Sequence, residues 1–476
     1  MTSINRHSPS NQNTVQIYPE NPHYLMYQGK PVLLITSAEH YGAVINAAFD
    51  FHTYLAALAR YGMNYTRIYP GAYVEVEGMF IENNNLAPKV GSYCLPWARS
   101  REAGCWDGGN QYDLEQWSEA YFDRLKDFVR EAAKHSIVVE ICFFNCQYQE
   151  GWHACPFNPV NNIQRMGPEN FNDFQTLKYP DLAAAQDRYV AKIVREVNEF
   201  DNVILEICDE PTLKGTPAPL AVSWIDHLVD VILNTEADLP RQHLVAQQYM
   251  NEVDFTQDQR VPLITTQYIR QASEQVGGVE ALDTVYHLQK PIELNETAFY
   301  PIWYEGDIEA ASRAEAWEFL VGGGAAFNQL NGRFCVPDPA GNTPDNDKIL
   351  AALRNLKTFM VGFAFQNMEG GTGFLVSGLG EGSLARGMSQ AGKQYALYIH
   401  HSTLKENGVY YIAKPGAYQE NLALLLPAGR YRADWVLPEE NRVLQSVEFE
   451  HLGGEKTLSS PAYAFDIALR IVPGGQ

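Results

Sequence analysis

Residues 202–211 read Asn202-Val-Ile-Leu-Glu-Ile-Cys-Asp-Glu-Pro211, an apolar run that stops at two acids and a proline. Residues 290–297, Lys290-Pro-Ile-Glu-Leu-Asn-Glu-Thr297, repeat the arrangement, with the acid Glu296 at the end. Short apolar runs of this kind read as buried strands. Outward from them, strand-like and helix-like segments alternate. The strand-like runs are 32–36, 63–68, 137–144, 202–208, 243–247, 262–266, 291–295 and 325–328. Helical spacing recurs at 51–61, 181–200, 224–233, 275–287, 310–321 and 346–363. A further helix is expected to open at Asp113, with Gln116 reaching back to complete the cap.

Alternation predicts a parallel sheet. Eight units separated by long insertions fit a (β/α)8 TIM barrel, an α/β fold. An open doubly wound sheet would carry a Gly-rich phosphate turn after an early strand, and none occurs. Beyond about residue 370, short runs at 395–399, 409–412, 421–426, 431–436, 443–449 and 464–472 are separated by Gly/Pro turns. They predict a small antiparallel β-sandwich. The expected organisation is a flexible arm over 1–20, the barrel over 21–368 and the accessory sandwich over 369–476.

Composition narrows the partners. The 476 residues carry a net charge of −22. Nucleic acid and anionic membranes are therefore poor partners, since phosphate binding needs a basic footprint. The 27 tyrosines suit sugar binding, because a ring face stacks on C–H groups while the hydroxyl hydrogen-bonds; the plainer reading is core packing. The polar start of the chain lacks an apolar signal segment. The seven cysteines lack a disulfide-framework spacing. A cytoplasmic location is the expectation, and a homo-oligomer is compatible with the sequence. No His-x-His or His-Glu-x-x-His occurs, and Cys142, Cys146 and Cys155 match no standard zinc spacing. No metal or cofactor is expected.

In a barrel the strand C-termini form the active face. Glu210 and Glu296 end the strands counted fourth and seventh. A carboxylic acid and a carboxylate about 5–5.5 Å apart are what retaining glycoside cleavage requires. A single acid at a strand end is more often a cap or an ion pair. Two such acids with matching flanks favour chemistry.

Cys208-Asp-Glu-Pro211 and the Lys290–Glu296 offset resemble the clan of retaining glycoside hydrolases that contains family 5, the cellulase-like enzymes. The resemblance covers most of residues 24–370. It implies Glu210 as acid/base and Glu296 as nucleophile, with Glu293 as the competing candidate. It further implies Arg67 as the arginine orienting the nucleophile, Asn145 as a polar ligand and Tyr268 as a tyrosine beside the nucleophile. Ser37-Ala-Glu-His-Tyr41 and Phe327-Asn-Gln-Leu330 extend the likeness, putting His40 and Asn328 at the pocket. Tyr65, Gln147, Trp152 and Trp303 are further candidate sugar contacts, with loop packing at least as good a reading. Asp209 replaces the clan's asparagine. An ionised aspartate can only accept hydrogen bonds. It either meets a donor on the substrate or is tied to a neighbouring arginine or amide.

The expected activity is retaining hydrolysis of an oligosaccharide or small glycoside. A transglycosidase would use the same residues but exclude water. A silent carbohydrate-binding protein would keep the aromatics without productive carboxylates.

Overall fold

The structure is a computed structural model that describes residues 13–475, apart from 39–40, 81–83, 269–274, 298–305, 331–337 and 405–410. His40 and Trp303 lie outside the described residues.

Eight strands form one parallel sheet, of barrel form, with the expected runs shifted by a residue or two. They are β1 (Leu34–Ser37), β2 (Tyr65–Ile68), β3 (Val138–Asn145), β4 (Val203–Asp209), β5 (Leu244–Gln248), β6 (Leu263–Gln267), β7 (Ile292–Glu296) and β8 (Ala326–Gln329). Their order around the sheet is β1-β8-β7-β6-β5-β4-β3-β2. Every residue of β3, β4 and β7 is buried, as expected for strands covered on both faces. Asn64 links the two strands at the ends of this order. Its Oδ1 accepts from Ile35 N, within β1, at 3.0 Å, and its Nδ2 donates to Leu33 O, just before β1, at 2.9 Å.

The helices are α1 (Phe51–Arg60), α2 (Glu119–Lys134), α3 (Gln149–Ala154), α4 (Pro180–Val197), α5 (Ala218–Glu236), α6 (Gly278–Thr284), α7 (Ile308–Val321) and α8 (Pro344–Val361). The connection from β5 to β6 carries no helix.

The helix expected to open at Asp113 does not begin there. Asn110–Trp117 is a strand paired with Trp97–Ala103. Helix α2 starts at Glu119, capped by Ser118. The tertiary environment overrides the local pattern: Asp113 Oδ1 accepts from Gln164 at 2.6 Å, and Trp117 stacks on Trp97 at 6.2 Å. Inside the stretch expected as a flexible arm, Gln16–Ile17 pairs with Leu25–Tyr27, and Thr14 and Val15 are buried.

The chain divides into two compact units. The first includes Leu25–Thr265; the second joins Tyr18–Tyr24, Thr266–Gln329 and Pro344–Gln476.

In the second unit, α7 is buried on every side from Ala310 to Val321. An amphipathic helix would leave one face wet. Here the C-terminal antiparallel sheet covers that face. Arg313 Nε meets Asp466 at 2.7 Å, Arg386 Nε meets Glu318 at 3.0 Å, and Tyr411 and Phe465 pack against Ala310, Ala311 and Ala314. The sheet has its own core, including Leu397, Leu424, Trp435 and Leu469. The runs expected at 421–426 and 431–436 are one continuous strand, β11 in chain order after β9 (Ser383–Gln390) and β10 (Gln394–Leu404). It spans Asn421–Leu437 and pairs along its length with Arg442–Ser459. The ladder carries straight through Pro427, which lies between the paired positions Leu426 and Ala428.

Candidate active site

In the first unit, β3 and β4 run in register with Asn145 opposite Asp209 and Phe144 opposite Cys208. This register brings the loop after β3 alongside the acids that end β4. Glu210 is 5% exposed, and its backbone has φ +49°. A non-glycine residue in the left-handed region is uncommon, and such strain gathers where surrounding contacts over-determine the chain. The contacts are visible here. Glu210 N donates to Gln248 Oε1 at 2.5 Å, while the neighbouring Gln247 bonds both Cys208 N and Cys208 O.

The Glu210 carboxyl is gripped from the loop after β3. Tyr148 Oη donates to Glu210 Oε2 at 2.7 Å, and the Cys146 thiol lies 3.5 Å from the same oxygen. Burial first, then the Glu210 charge, push both the Tyr148 phenol and the Cys146 thiol well up, so both stay protonated and donate. Sequence reasoning passed over Tyr148. Its only local signal is a position three residues past Asn145 at the end of β3.

Asp209 is fully buried. Its Oδ2 accepts from Tyr69 Oη at 2.6 Å and from Asn145 Nδ2 at 3.1 Å, and Oδ1 faces the Arg67 guanidinium at 3.1 Å. Arg67 also bonds Glu206, Nε to Oε2, at 2.7 Å and lies 3.7 Å from Glu140, which accepts from the Tyr65 hydroxyl. Burial opposes the Arg67 charge, but Asp209 and Glu206 hold its pKa well up. Three buried carboxylates around one guanidinium cannot all ionise cheaply. Burial raises Glu206 above the usual carboxylate range; Arg67 opposes that shift, and Glu140 and Asp209 add to it. Tyr41, Tyr69 and Tyr73 pack against one another beside this network. Gln147 and Trp152 are both nearly fully buried. Gln147 donates to Ala72 O at 3.3 Å, and Trp152 packs on Phe174.

In the second unit, Glu296 ends β7 and is 8% exposed. Gln267 Nε2 lies 3.4 Å from Glu296 Oε2 and is itself steadied by Gln275. Tyr268 N donates to Glu296 O at 2.9 Å from a left-handed backbone, φ +58°. Asn328 Nδ2 donates to Asn295 O at 3.0 Å, bracing β7 from β8. Thr297 Oγ1 donates to Glu315 Oε1 at 2.5 Å. Burial pushes the Glu315 carboxyl well up, with the Thr297 bond opposing. Glu293, the competing nucleophile candidate, is wholly buried, and its backbone carbonyl accepts from Thr266 Oγ1.

Among the described residues, no three His, Cys, Asp or Glu side chains converge as a metal site. No helix among them is long and apolar enough to cross a membrane.

A family model described as a domain of unknown function, DUF6298, matches residues 84–272. No curated protein matches the chain. Among solved structures, the chain is similar to a glycoside hydrolase at TM-score 0.62 and 13% identity, covering 97% of each chain. It is also similar to a glycoside hydrolase family 5 structure from Bacteroides vulgatus ATCC 8482, at TM-score 0.62 and 12% identity, covering 97% of this chain and 94% of the other. At such identities the likeness is one of fold. It agrees with the cellulase-like resemblance of the sequence and with a barrel followed by an antiparallel sheet domain.

Proposed function

We propose that the protein is a retaining glycoside hydrolase acting on an oligosaccharide or small glycoside. Glu210 protonates the leaving-group oxygen while Glu296 attacks the anomeric carbon and forms a glycosyl-enzyme. Glu210, now ionised, takes a proton from water, which displaces Glu296 and restores the original anomeric configuration. The observation that carries the reading is the setting of Glu210. A buried carboxyl at a barrel strand end stands on strained backbone, with two neutral donors on one oxygen and a buried charge network behind it. The second carboxyl, Glu296, ends another strand of the same parallel sheet. The fold shared with solved glycoside hydrolases adds support.

The test is a screen of aryl glycosides with wild type, Glu210→Gln and Glu296→Gln, followed by NMR of the first-formed anomer. Each variant should lose about 10²- to 10⁴-fold in turnover on unactivated substrates. Glu210→Gln should recover on a nitrophenolate leaving group when azide replaces water. Wild-type turnover in both variants, or an inverted first product, would remove the proposal.

A further inference from the structure

We infer that the leaving-group side of this site accepts an acidic sugar, with Lys214 as the cation that recognises its carboxylate. The inference rests on the proposal that Glu210 protonates the leaving group, because whatever surrounds that carboxyl then surrounds the departing sugar.

Lys214 follows Glu210 by four residues in the turn after β4 and is exposed. Its Nζ stands 4.3 Å from the centroid of the Tyr148 ring. The hydroxyl of that same ring is 2.7 Å from Glu210 Oε2. A single tyrosine ring thus separates an ammonium from the proton donor, which is within the reach of one saccharide unit. The ring also meets Phe80, edge to face at 4.9 Å. Phe80 is 41% exposed and has φ +42°, a backbone conformation bulky residues rarely adopt. The insertion after β2 therefore holds an exposed aromatic ring against the tyrosine that touches the acid.

The charge of Lys214 is available. Among the described residues it has no carboxylate partner, and its described contact is the tyrosine face. A cation–π contact places an ammonium without neutralising it, whereas an ion pair would cancel its charge. The setting makes this matter. A chain of net charge −22 repels anions at long range. An acidic sugar would be excluded unless a local cation offset that field. One ammonium, one charge and an aromatic platform suit a uronate. A phosphate or sulfate ester shares the anionic chemistry but brings more charge than one lysine balances.

The experiment measures binding, so its outcome does not depend on turnover. The full-length protein is titrated by ligand-observed NMR with glucuronate, galacturonate and mannuronate against glucose, galactose and mannose. Glucose 6-phosphate forms a separate arm. At least one uronate should bind about threefold to fivefold more tightly than its neutral partner, the scale of a partly exposed ion pair. That difference should vanish in Lys214→Gln, persist in Lys214→Arg and fade at about 1 M salt, where the Debye length is about 3 Å. Equal binding within every pair overturns the inference, as does a preference that Lys214→Gln leaves intact. Stronger binding of the phosphate than of any uronate also overturns it. If the uronate preference fails while Glu210→Gln still abolishes glycoside cleavage, the acidic subsite is lost and the hydrolase reading stands.

Discussion

Replacing Asp209 by asparagine would restore the residue that the cellulase-like clan carries, yet the structure predicts damage to stability and not a change in specificity. The carboxyl is spent internally, with one oxygen 3.1 Å from Arg67 and the other accepting from Tyr69 at 2.6 Å and Asn145 at 3.1 Å. An asparagine must turn its amide nitrogen to one side or the other. Facing Arg67, it loses a charge-assisted contact worth about 1.5–3 kcal/mol. Facing Tyr69 and Asn145, it meets two donors, and each lost bond costs about 1 kcal/mol before any stranded donor is counted. Either orientation gives roughly 2–3 kcal/mol of destabilisation. Arg67 keeps Glu206 as a partner, which holds the loss below that of an orphaned buried charge. A melting curve by near-ultraviolet circular dichroism should show Asp209→Asn unfolding roughly 5 °C lower. The ratio of kcat/KM between substrates epimeric at the sugar 2-position should stay within about twofold of wild type. An unchanged melting temperature together with a shifted epimer ratio would refute the argument, because it would make Asp209 a sugar ligand.

Tyr148→Phe removes the shorter of the two donors on Glu210 Oε2 and leaves the Cys146 thiol. Turnover of an unactivated glycoside should fall about tenfold or more. The alkaline limb of its pH profile should move up, since the lost bond favoured the ionised carboxyl; an unmoved limb would contradict the proposed role. Glu315 tests linkage in the second unit. Its folded pKa is raised by burial, so its stabilising contribution is complete below the unfolded carboxylate range and is lost as pH rises through the folded value. From about pH 5 upward, wild type should lose up to about 1.4 kcal/mol per pH unit relative to Glu315→Gln, which carries no titrating group. Parallel stability curves for the two proteins would show that Glu315 ionises freely.

Much of the fold, and the place of the two candidate acids in it, was legible in the sequence. Eight strand-like runs, their parallel assembly and the acids at the ends of β4 and β7 follow from local patterns. A strand covered on both faces reads as a mostly apolar run, and an amphipathic helix repeats its apolar residues about every three to four positions. Where the pattern misled, at Asp113, it is because pairing between Trp97–Ala103 and Asn110–Trp117 outweighed a helical spacing that Ser118 and Glu119 then took up. The sequence by itself thus determined which strands the acids close. Only the tertiary structure decided what those acids touch. Tyr148 meets Glu210 across 62 residues of chain, and Tyr69 meets Asp209 across 140. Such contacts depend on strand register and on the path of loops between strands. Neither leaves a periodic trace, and the left-handed turn at Glu210 is imposed by neighbours and not by its own residue type.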